Sequence, residues 1–277
     1  MKRAVVIGGG IGGLATAGLL AKAGMQVTLL EGREKVGGRA YIWEKDGFKF
    51  DLGPSWYLMP DAFEQWFKLM GTSAENELKL VRLDPAYQAR NEGKGDLLRI
   101  RASLDENKRL FDEIEPGAGA RLQEYLDSAQ DAYELSIKRF LYTNFRDARA
   151  FMSIEVLQRL VRFAKHLLTP LHTFVSSHVS DPRLQKILDF PAVFLGASPY
   201  KTPSMYHLMT HVDMNVGVFY PMGGFYTIIE AIERIAKANG VDVRTNSPVT
   251  KIEVDESGRA TGVRVGEALF EADVVIG

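Results

Sequence analysis

The chain has 277 residues, of which 46% are hydrophobic and 25% charged, and its formal net charge is −1. These values are typical of a globular protein and exclude collagen-like, coiled-coil and largely disordered chains. The charge balance provides no basic excess for nucleic acid, and the absence of cysteine excludes disulfides and thiolate metal sites. The length predicts one large domain or two interleaved domains.

The first predicted elements are a strand, a glycine-rich turn and a helix. Residues 4–7 form a β-branched run typical of a buried parallel strand, and the glycines at 8, 10 and 13 then fit the pattern G-x-G-x-x-G. The first glycine permits a tight turn, the second lets backbone approach a pyrophosphate, and the third allows close helix–strand packing. The amides at the start of the helix then face the phosphates. The segment therefore predicts a dinucleotide cradle.

A second predicted strand, residues 26–30, ends in an acidic residue, Glu31. A carboxylate at this position accepts hydrogen bonds from ribose hydroxyls and repels a 2′-phosphate. The glycine motif and this acid do not by themselves distinguish NAD from FAD. The next segment, from Gly32 and Arg33 to Gly37, Gly38 and Arg39, is more informative.

This segment resembles the second signature of flavoproteins with the amine-oxidase and carotenoid-desaturase fold. In that family the glycine pair brings backbone against the FAD pyrophosphate, and the arginine helps to hold it. Three later segments resemble phytoene desaturases: residues 48–56 (FKFDLGPSW), residues 196–206 (GASPYKTPSMY) and residues 220–224 (YPMGG). Residues 245–252 resemble the family strand in which a valine backbone contacts the adenine, and Val249 is the matching residue. The resemblance covers essentially the whole chain in order.

The resemblance implies an α/β fold, in which a Rossmann-like FAD-binding domain carries an inserted mixed α+β substrate domain. Residues 1–59 and 216–277 are expected to form the FAD-binding domain, and residues 60–215 a largely helical, membrane-associated insertion. The family continues beyond the position of Gly277, so the C-terminal part of the fold is expected to be missing. These 277 residues are then expected to bind FAD weakly and to lack turnover. The residues implied to bind FAD are Gly8, Gly10, Ile11, Gly12, Gly13, Glu31, Gly32, Arg33, Gly37, Gly38, Arg39, Gly53, Pro54, Ser55 and Val249.

The function implied by the resemblance is FAD-dependent desaturation of an apolar polyene such as phytoene, in carotenoid biosynthesis. Hydride would pass from an allylic carbon to the flavin, with quinone or oxygen as the electron acceptor. The expected location is the cytoplasm, peripherally attached to a membrane. Two alternatives stay open: another flavoenzyme of this fold (amine oxidase, carotenoid isomerase or retinol saturase) and a non-catalytic lipid-binding relative. The intact glycine motif argues against the second.

One predicted helix of the insertion is amphipathic. Apolar residues from Leu157 to Leu168 follow helical spacing, and Arg159, Arg162 and Lys165 lie on the opposite face. A basic amphipathic helix can lie in a membrane interface, and it can equally pack its apolar face on a protein core. The sequence leaves both interpretations open.

The sequence provides little evidence for a proton acceptor or a metal site. Asp147 between Arg146 and Arg149 is a candidate acceptor, although this spacing is more typical of a solvated charge cluster. His207 and His211 have the i, i+4 spacing of metal ligands, but the glutamate of an H-E-x-x-H motif is absent. We therefore expect no metal.

Overall fold

The computed structural model describes residues 1–91, 97–142 and 165–277. The chain forms two compact units. Unit 1 comprises Met1–Val81 and Phe219–Gly277, and unit 2 comprises Arg82–Val218.

The elements follow in chain order. The strands are β1 (Arg3–Ile7), β2 (Gln26–Leu30), β3 (Ile42–Lys45), β4 (Phe48–Asp51), β5 (Leu80–Arg82), β6 (Tyr87–Arg90), β7 (Leu97–Ile100), β8 (Phe219–Pro221), β9 (Asp242–Arg244), β10 (Lys251–Val254), β11 (Ala260–Val265), β12 (Ala268–Glu271) and β13 (Val274–Ile276). The helices are α1 (Ile11–Lys22), α2 (Pro60–Met70), α3 (Ala74–Glu77), α4 (Leu104–Ile114), α5 (Ala118–Ser136), α6 (Leu171–Ser176), α7 (Pro182–Asp189), α8 (Leu208–His211) and α9 (Tyr226–Ala238). Short π-helical or 3₁₀ turns cover Ile137–Leu141, Phe190–Leu195, Ser204–His207 and Val212–Val216.

A parallel sheet in the order β13-β1-β2-β9 organises unit 1. Its central strand β1 buries Ala4, Val5 and Val6 almost completely, as expected of a strand covered on both faces. Helices α1 and α9 cover one face, where Leu14 and Ile229 are fully buried. The antiparallel sheet β10-β11-β12 contributes to a separate apolar cluster with β1, β2 and β13. The predicted α/β fold with a Rossmann-like domain is confirmed.

The order of the parallel strands determines where unit 1 can bind a ligand. Strands β1 and β2 are adjacent and parallel, so their carboxyl ends lie at the same edge of the sheet. The loops after these two strands contain both predicted glycine segments. This edge is the usual ligand-binding edge of an open α/β sheet.

The boundary of the insertion differs from the prediction. The predicted insertion begins at residue 60, whereas α2 and α3 belong to unit 1. Phe67 and Met70 of α2 are buried in the unit 1 core, and the Trp66 indole donates a hydrogen bond to the Ala15 carbonyl at 3.1 Å. The apolar face of α2 thus fixes it on α1, a contact that separation along the chain does not predict.

Unit 2 is mainly helical. Helices α4 to α7 and the hairpin β6–β7 surround a core whose largest fully buried side chains include Phe111, Tyr125 and Leu171. Ser103 caps the start of helix α4, because its hydroxyl accepts a hydrogen bond from the Glu106 N–H. Helix α5 begins directly after Gly117, which has a left-handed backbone conformation. This organisation fits the predicted mixed α+β insertion.

Candidate functional site: two glycine loops at the carboxyl edge of the sheet

The first glycine loop joins β1 to α1 by close backbone contacts. Gly8 has a φ of +96°, and its N–H donates to the Leu30 carbonyl at 2.8 Å. A β-carbon on Gly13 would lie 2.0 Å from the Gly8 carbonyl oxygen, a distance that no side chain tolerates. Gly8 and Gly13 therefore shape the turn, as the motif predicts.

The start of α1 has free backbone donors. Leu14 makes the first helical hydrogen bond, to the Gly10 carbonyl at 2.9 Å. Among the described residues, no partner accepts the N–H groups of Gly12 and Gly13, and the first turn contains no acidic side chain. A β-carbon on Gly10 would meet only the Gly38 Cα, at 3.9 Å, so the space beside Gly10 is open. Free amides at a helix N-terminus beside open space form an anion-binding cradle.

Glu31 lies immediately after β2 and is only 8% exposed. One carboxylate oxygen accepts the Gly9 N–H at 2.7 Å, and the other accepts the Arg33 N–H at 2.9 Å. Glu31 thus joins the first glycine loop to the loop after β2. Each carboxylate oxygen retains a lone pair, so the group can still accept a ribose hydroxyl.

The second glycine loop lies directly against the first. The Gly37 N–H donates to the Gly9 carbonyl at 2.7 Å, and a β-carbon on Gly38 would lie 3.1 Å from the Gly10 Cα. The two loops therefore approach so closely that a side chain on Gly38 would separate them. This tertiary contact brings together two segments that the sequence analysis assigned to one pyrophosphate.

The two predicted arginines differ in what they contact. The Arg33 guanidinium donates to the Gly38 carbonyl at 3.3 Å and lies over the Tyr41 ring, 5.6 Å from its centroid. Arg39 is exposed, and its guanidinium makes no hydrogen bond or ion pair with any described residue. Arg33 braces the loop, whereas Arg39 has no such contact among the described residues.

The segment after β4 has a structural role that the sequence analysis did not identify. A β-carbon on Gly53 would lie 2.0 Å from the Arg39 carbonyl oxygen, so Gly53 packs directly on the second glycine loop. Pro54 and Ser55 are exposed. Asp51, which was not among the predicted site residues, accepts the Phe225 N–H at 2.8 Å and thereby caps the start of α9.

The predicted adenine contact lies in a connecting segment. Strand β9 ends at Arg244 and β10 begins at Lys251, so the prediction of a strand over residues 245–252 is wrong for its first six residues. The Ser247 N–H donates to the Glu31 carbonyl at 2.8 Å, which anchors this segment beside the acid and beside Gly32. No described residue hydrogen-bonds to the backbone of Val249, which leaves both of its polar groups available for a ligand.

An apolar cavity of about 260 Å³ lies beside the start of α1. Trp66 and Phe63 of α2 face Ile11 and Ala15 of α1 there, and Ile232 of α9 completes the lining. This cavity is absent from the predictions made from the sequence, because residues 60–70 were expected to belong to the insertion. The i, i+3 spacing of Phe63 and Trp66 is the signal that could have indicated it.

Several sequence candidates lie outside the described residues, among them Asp147 and most of the amphipathic segment. Its described end, residues 165–168, is helical, and Leu168 is 85% exposed there. No helix among residues 1–91, 97–142 and 165–277 is long and apolar enough to cross a membrane.

The histidines of unit 2 make hydrogen bonds within the protein. His207 Nδ1 lies 2.7 Å from the Ser204 carbonyl, and Nε2 lies 3.0 Å from the Ser128 hydroxyl. Burial and the neighbouring His166 lower the pKa of His207 to about 4. The described part of the chain contains no group of three or more residues suited to a metal ion.

Comparison with known families agrees with this geometry. The family model described as flavin containing amine oxidoreductase matches residues 11–276. The chain belongs to this family. Membership confirms the predicted family and its flavin cofactor, and the match includes the first glycine helix as well as β13.

Two curated relatives are similar over nearly the whole chain. A carotenoid 3,4-desaturase from Haloarcula japonica is 38% identical over 271 residues, which are 98% of this chain and 54% of the relative. A zeta-carotene-forming phytoene desaturase from Myxococcus xanthus is 36% identical over 276 residues, covering 99% of this chain and 53% of the relative. The chain therefore spans about half the length of these relatives.

A solved structure shows the same fold at lower identity. An oxidoreductase from Methanosarcina mazei superposes with a TM-score of 0.57 at 22% identity, covering 99% of this chain and 58% of the other. This likeness supports the amine-oxidase-type architecture of the chain.

Proposed function

We propose that this chain provides the phosphate-, ribose- and adenine-binding part of an FAD-dependent desaturase that acts on an apolar polyene such as phytoene. The observation that carries the proposal is the direct contact of the two glycine loops beside the free amides of α1. The names of the relatives from Haloarcula japonica and Myxococcus xanthus favour a carotenoid as the substrate class.

Each part of the cradle has a proposed role toward FAD. The Gly12 and Gly13 amides and the Arg39 guanidinium would hold the pyrophosphate, with Gly8, Gly10, Ile11, Gly37 and Gly38 leaving room for it. Glu31 would accept ribose hydroxyls, and the backbone of Val249 would contact the adenine. Arg33, Gly32 and the Gly53–Pro54–Ser55 turn would maintain the shape of the loops, as their contacts or their position beside the loops indicate.

The chemistry that bound FAD supplies is acceptance of a hydride from an allylic carbon, while a proton leaves the neighbouring carbon. The residues of this chain would contribute by binding and orienting the cofactor, so that its reactive ring meets the polyene at a short distance. Asp147 stays a proposed proton acceptor outside the described residues. Quinone or oxygen is the proposed final electron acceptor.

Replacing Gly10 with valine tests the cofactor assignment. The structure leaves the β-carbon position free of protein clashes, so the Gly10→Val protein should fold, but its side chain should fill the space proposed for the pyrophosphate. We expect FAD affinity, measured by flavin fluorescence titration, to fall by at least about 100-fold, since the ligand loses its backbone contacts.

The control is Gly18→Ala, in the helix that follows Gly10 and two turns from its N-terminus. A β-carbon there meets Met70 at 3.4 Å and Trp66 at 3.5 Å, which are ordinary contacts. Its FAD affinity should equal that of the parent. Parent-like FAD affinity in folded Gly10→Val would show that the pyrophosphate does not lie in this cradle.

We further propose that the protein attaches peripherally to a membrane, on the cytoplasmic side, through the segment ending at Leu168. The exposure of Leu167 (46%) and Leu168 (85%) supports a lipid-facing end rather than a core-packed one. A polyene substrate partitions into lipid, so attachment would give the enzyme direct access to it.

Charge reversal tests this attachment. The triple variant Arg159→Glu, Arg162→Glu and Lys165→Glu should lose co-sedimentation with anionic vesicles, since each cation near such a surface contributes about 1 kcal/mol. Reversal of three exposed lysines elsewhere, Lys2, Lys22 and Lys45, changes the net charge equally and should retain binding. Equal co-sedimentation of both variants, or no binding by the parent, would reject the proposal.

A further inference from the structure

A hydrogen bond from the start of α9 restricts the position of the second glycine loop. The hydroxyl of Tyr226, the first residue of α9, donates a hydrogen bond to the Val36 carbonyl at 3.0 Å. Val36 is 2% exposed and directly precedes Gly37. Among the described residues, Tyr226 is the only partner of this buried carbonyl.

The Tyr226 ring also supports the loop from the side. A β-carbon on Gly37 would lie 3.1 Å from Cε2 of Tyr226 and 2.6 Å from the Ala40 carbonyl oxygen. Gly37 has a φ of +127°, a conformation that favours glycine. The loop is therefore confined between the first glycine loop, which its Gly37 N–H contacts, and the start of α9.

The Val36 side chain lies directly against the first glycine loop. A β-carbon on Gly9 would lie 2.7 Å from Cγ1 of Val36 and 3.1 Å from Oε2 of Glu31. Movement of Val36 would thus change the spacing between the two glycine loops and the position of the acid. Burial raises the pKa of Tyr226, so its hydroxyl is protonated and able to donate.

Asp51 fixes the start of α9, and therefore the position of Tyr226. Its two carboxylate oxygens accept the Phe225 N–H at 2.8 Å and the Tyr226 N–H at 3.2 Å. Gly224 allows this approach, since a β-carbon there would lie 3.0 Å from the carboxylate. Phe225 and Tyr226 follow Asp51 in the chain by 174 and 175 residues, so the cap joins distant segments.

We infer that Tyr226, held by Asp51, is a positioning residue that sets how the second glycine loop lies against the first, beside the proposed site of the FAD pyrophosphate. The inference rests on the proposed function. Tyr226 acts through the Val36 carbonyl and has no proposed contact with the cofactor. Its role is to keep Gly37 and Gly38 at the spacing that the pyrophosphate requires.

The test compares Tyr226→Phe with Tyr57→Phe in FAD titrations of the apoprotein, followed by flavin fluorescence. Both variants remove one buried hydroxyl from the same apolar core, but the Tyr57 hydroxyl has no hydrogen-bond partner among the described residues. Tyr226→Phe should weaken FAD binding by about tenfold, the equivalent of one lost hydrogen bond, and Tyr57→Phe should bind as the parent does.

Thermal melting separates positioning from general packing. For Tyr226→Phe, the rise in Tm on adding FAD should be smaller than for the parent. A purely structural role would instead lower the melting temperatures of apoprotein and complex equally and leave the dissociation constant unchanged, which would overturn the inference. Asp51→Asn provides a second variant. Its amide N–H₂ would face a backbone N–H at the start of α9, so Tyr226 would be held less firmly and FAD binding should again weaken.

Failure of the inference and failure of the proposed function give different results. If the parent binds FAD and neither Tyr226→Phe nor Asp51→Asn weakens it, the positioning role is wrong and the cradle stands. If the parent itself does not bind FAD, the proposed cofactor site fails, and the positioning role fails with it.

Discussion

In unit 1 the carboxylates of Glu31 and Asp51 each accept two backbone N–H groups. Glu31 accepts those of Gly9 and Arg33, and Asp51 accepts those of Phe225 and Tyr226. In unit 2 the buried carboxyl group of Asp213 accepts one phenolic hydroxyl, from Tyr87 at 3.0 Å. Its second oxygen has no partner among the described residues. Glu31 and Asp51 hold backbone in place, whereas the carboxyl group of Asp213 contacts no backbone N–H group among the described residues.

The difference changes how each unit should respond to pH and to mutation. Carboxylates that bind backbone amides organise loops, so their loss should disturb geometry near the cradle. The burial of Asp213 raises its pKa to about 7, so this group exchanges a proton near neutral pH. The burial of His207 has the opposite effect and lowers its pKa to about 4. The contacts of Glu31 and Asp51 therefore constrain loops of unit 1, and the buried Asp213 makes unit 2 sensitive to protonation.

The largest expected effect tests the constraint in unit 1. Gly13→Ala places a β-carbon 2.0 Å from the Gly8 carbonyl oxygen, so β1 and α1 must separate. We expect a loss of more than about 4 kcal/mol in unfolding free energy, which is enough to unfold many domains. Thermal melting and soluble yield measure it. Gly12→Ala, with no atom within 4 Å of its β-carbon, should melt as the parent does.

Asp213→Asn tests the protonation sensitivity of unit 2. The ordinary pKa of 3.8 is raised in the folded state to about 7, so the folded protein binds the extra proton between these values. The stabilisation that proton binding by folded Asp213 contributes is complete below pH 3.8 and is lost as pH rises through 7. The difference in unfolding free energy between parent and variant should change by about 4 kcal/mol between pH 4 and 8.

Urea denaturation at each pH measures this difference, and subtraction removes the opposite contribution of His207. That contribution is lost as pH falls from 6.5 towards 4, because the folded-state pKa of His207 is lowered. Asp105→Asn, at an exposed position of α4, should show a pH-dependent difference below about 1 kcal/mol. If the difference in unfolding free energy between the parent and Asp213→Asn were constant from pH 4 to 8, unit 2 would lack the expected sensitivity to protonation.

Glu31→Gln tests whether the buried acid of unit 1 organises backbone. The amide group of glutamine would place a donor against one of the two backbone N–H groups, leaving buried donors unsatisfied. The expected cost is about 2 kcal/mol in unfolding free energy, measured by urea denaturation. Glu34→Gln, at an exposed position three residues later, should cost less than about 0.5 kcal/mol. Equal costs would mean that the backbone contacts of Glu31 do not stabilise the loops.

The smallest effect on stability is expected from substitution of Arg33 and Arg39. These variants distinguish an arginine that braces the loop from one that binds the ligand. Arg39→Gln should leave the melting temperature unchanged and lower FAD affinity by about tenfold at low salt, since it removes a free cation. Arg33→Gln should mainly lower the melting temperature, since it removes the contact with the Gly38 carbonyl. FAD titration and melting of both variants decide the assignment, and a reversed pattern would exchange their roles.

The sequence predicted the local elements of the cradle well. The spacing of Gly8, Gly10 and Gly13 and the acid after the second strand reflect turn geometry within about thirty residues, which local physics determines. The prediction was less accurate where structure depends on distant contacts. Residues 245–250 anchor on Glu31 through Ser247 instead of forming a strand, and α2 packs on α1.

What the sequence alone determined was the order of the strand, glycine turn, helix and acid, together with the type of ligand those elements suit. Only the tertiary structure decided that the two glycine loops touch and that Tyr226 contacts the Val36 carbonyl. It also decided that Arg33 is engaged, while Arg39 has no partner among the described residues. The physical reason is sequence distance. Tyr226 lies 190 residues from Val36, and no spacing rule relates a hydroxyl to a carbonyl across that separation, whereas the folded sheet brings them within 3.0 Å.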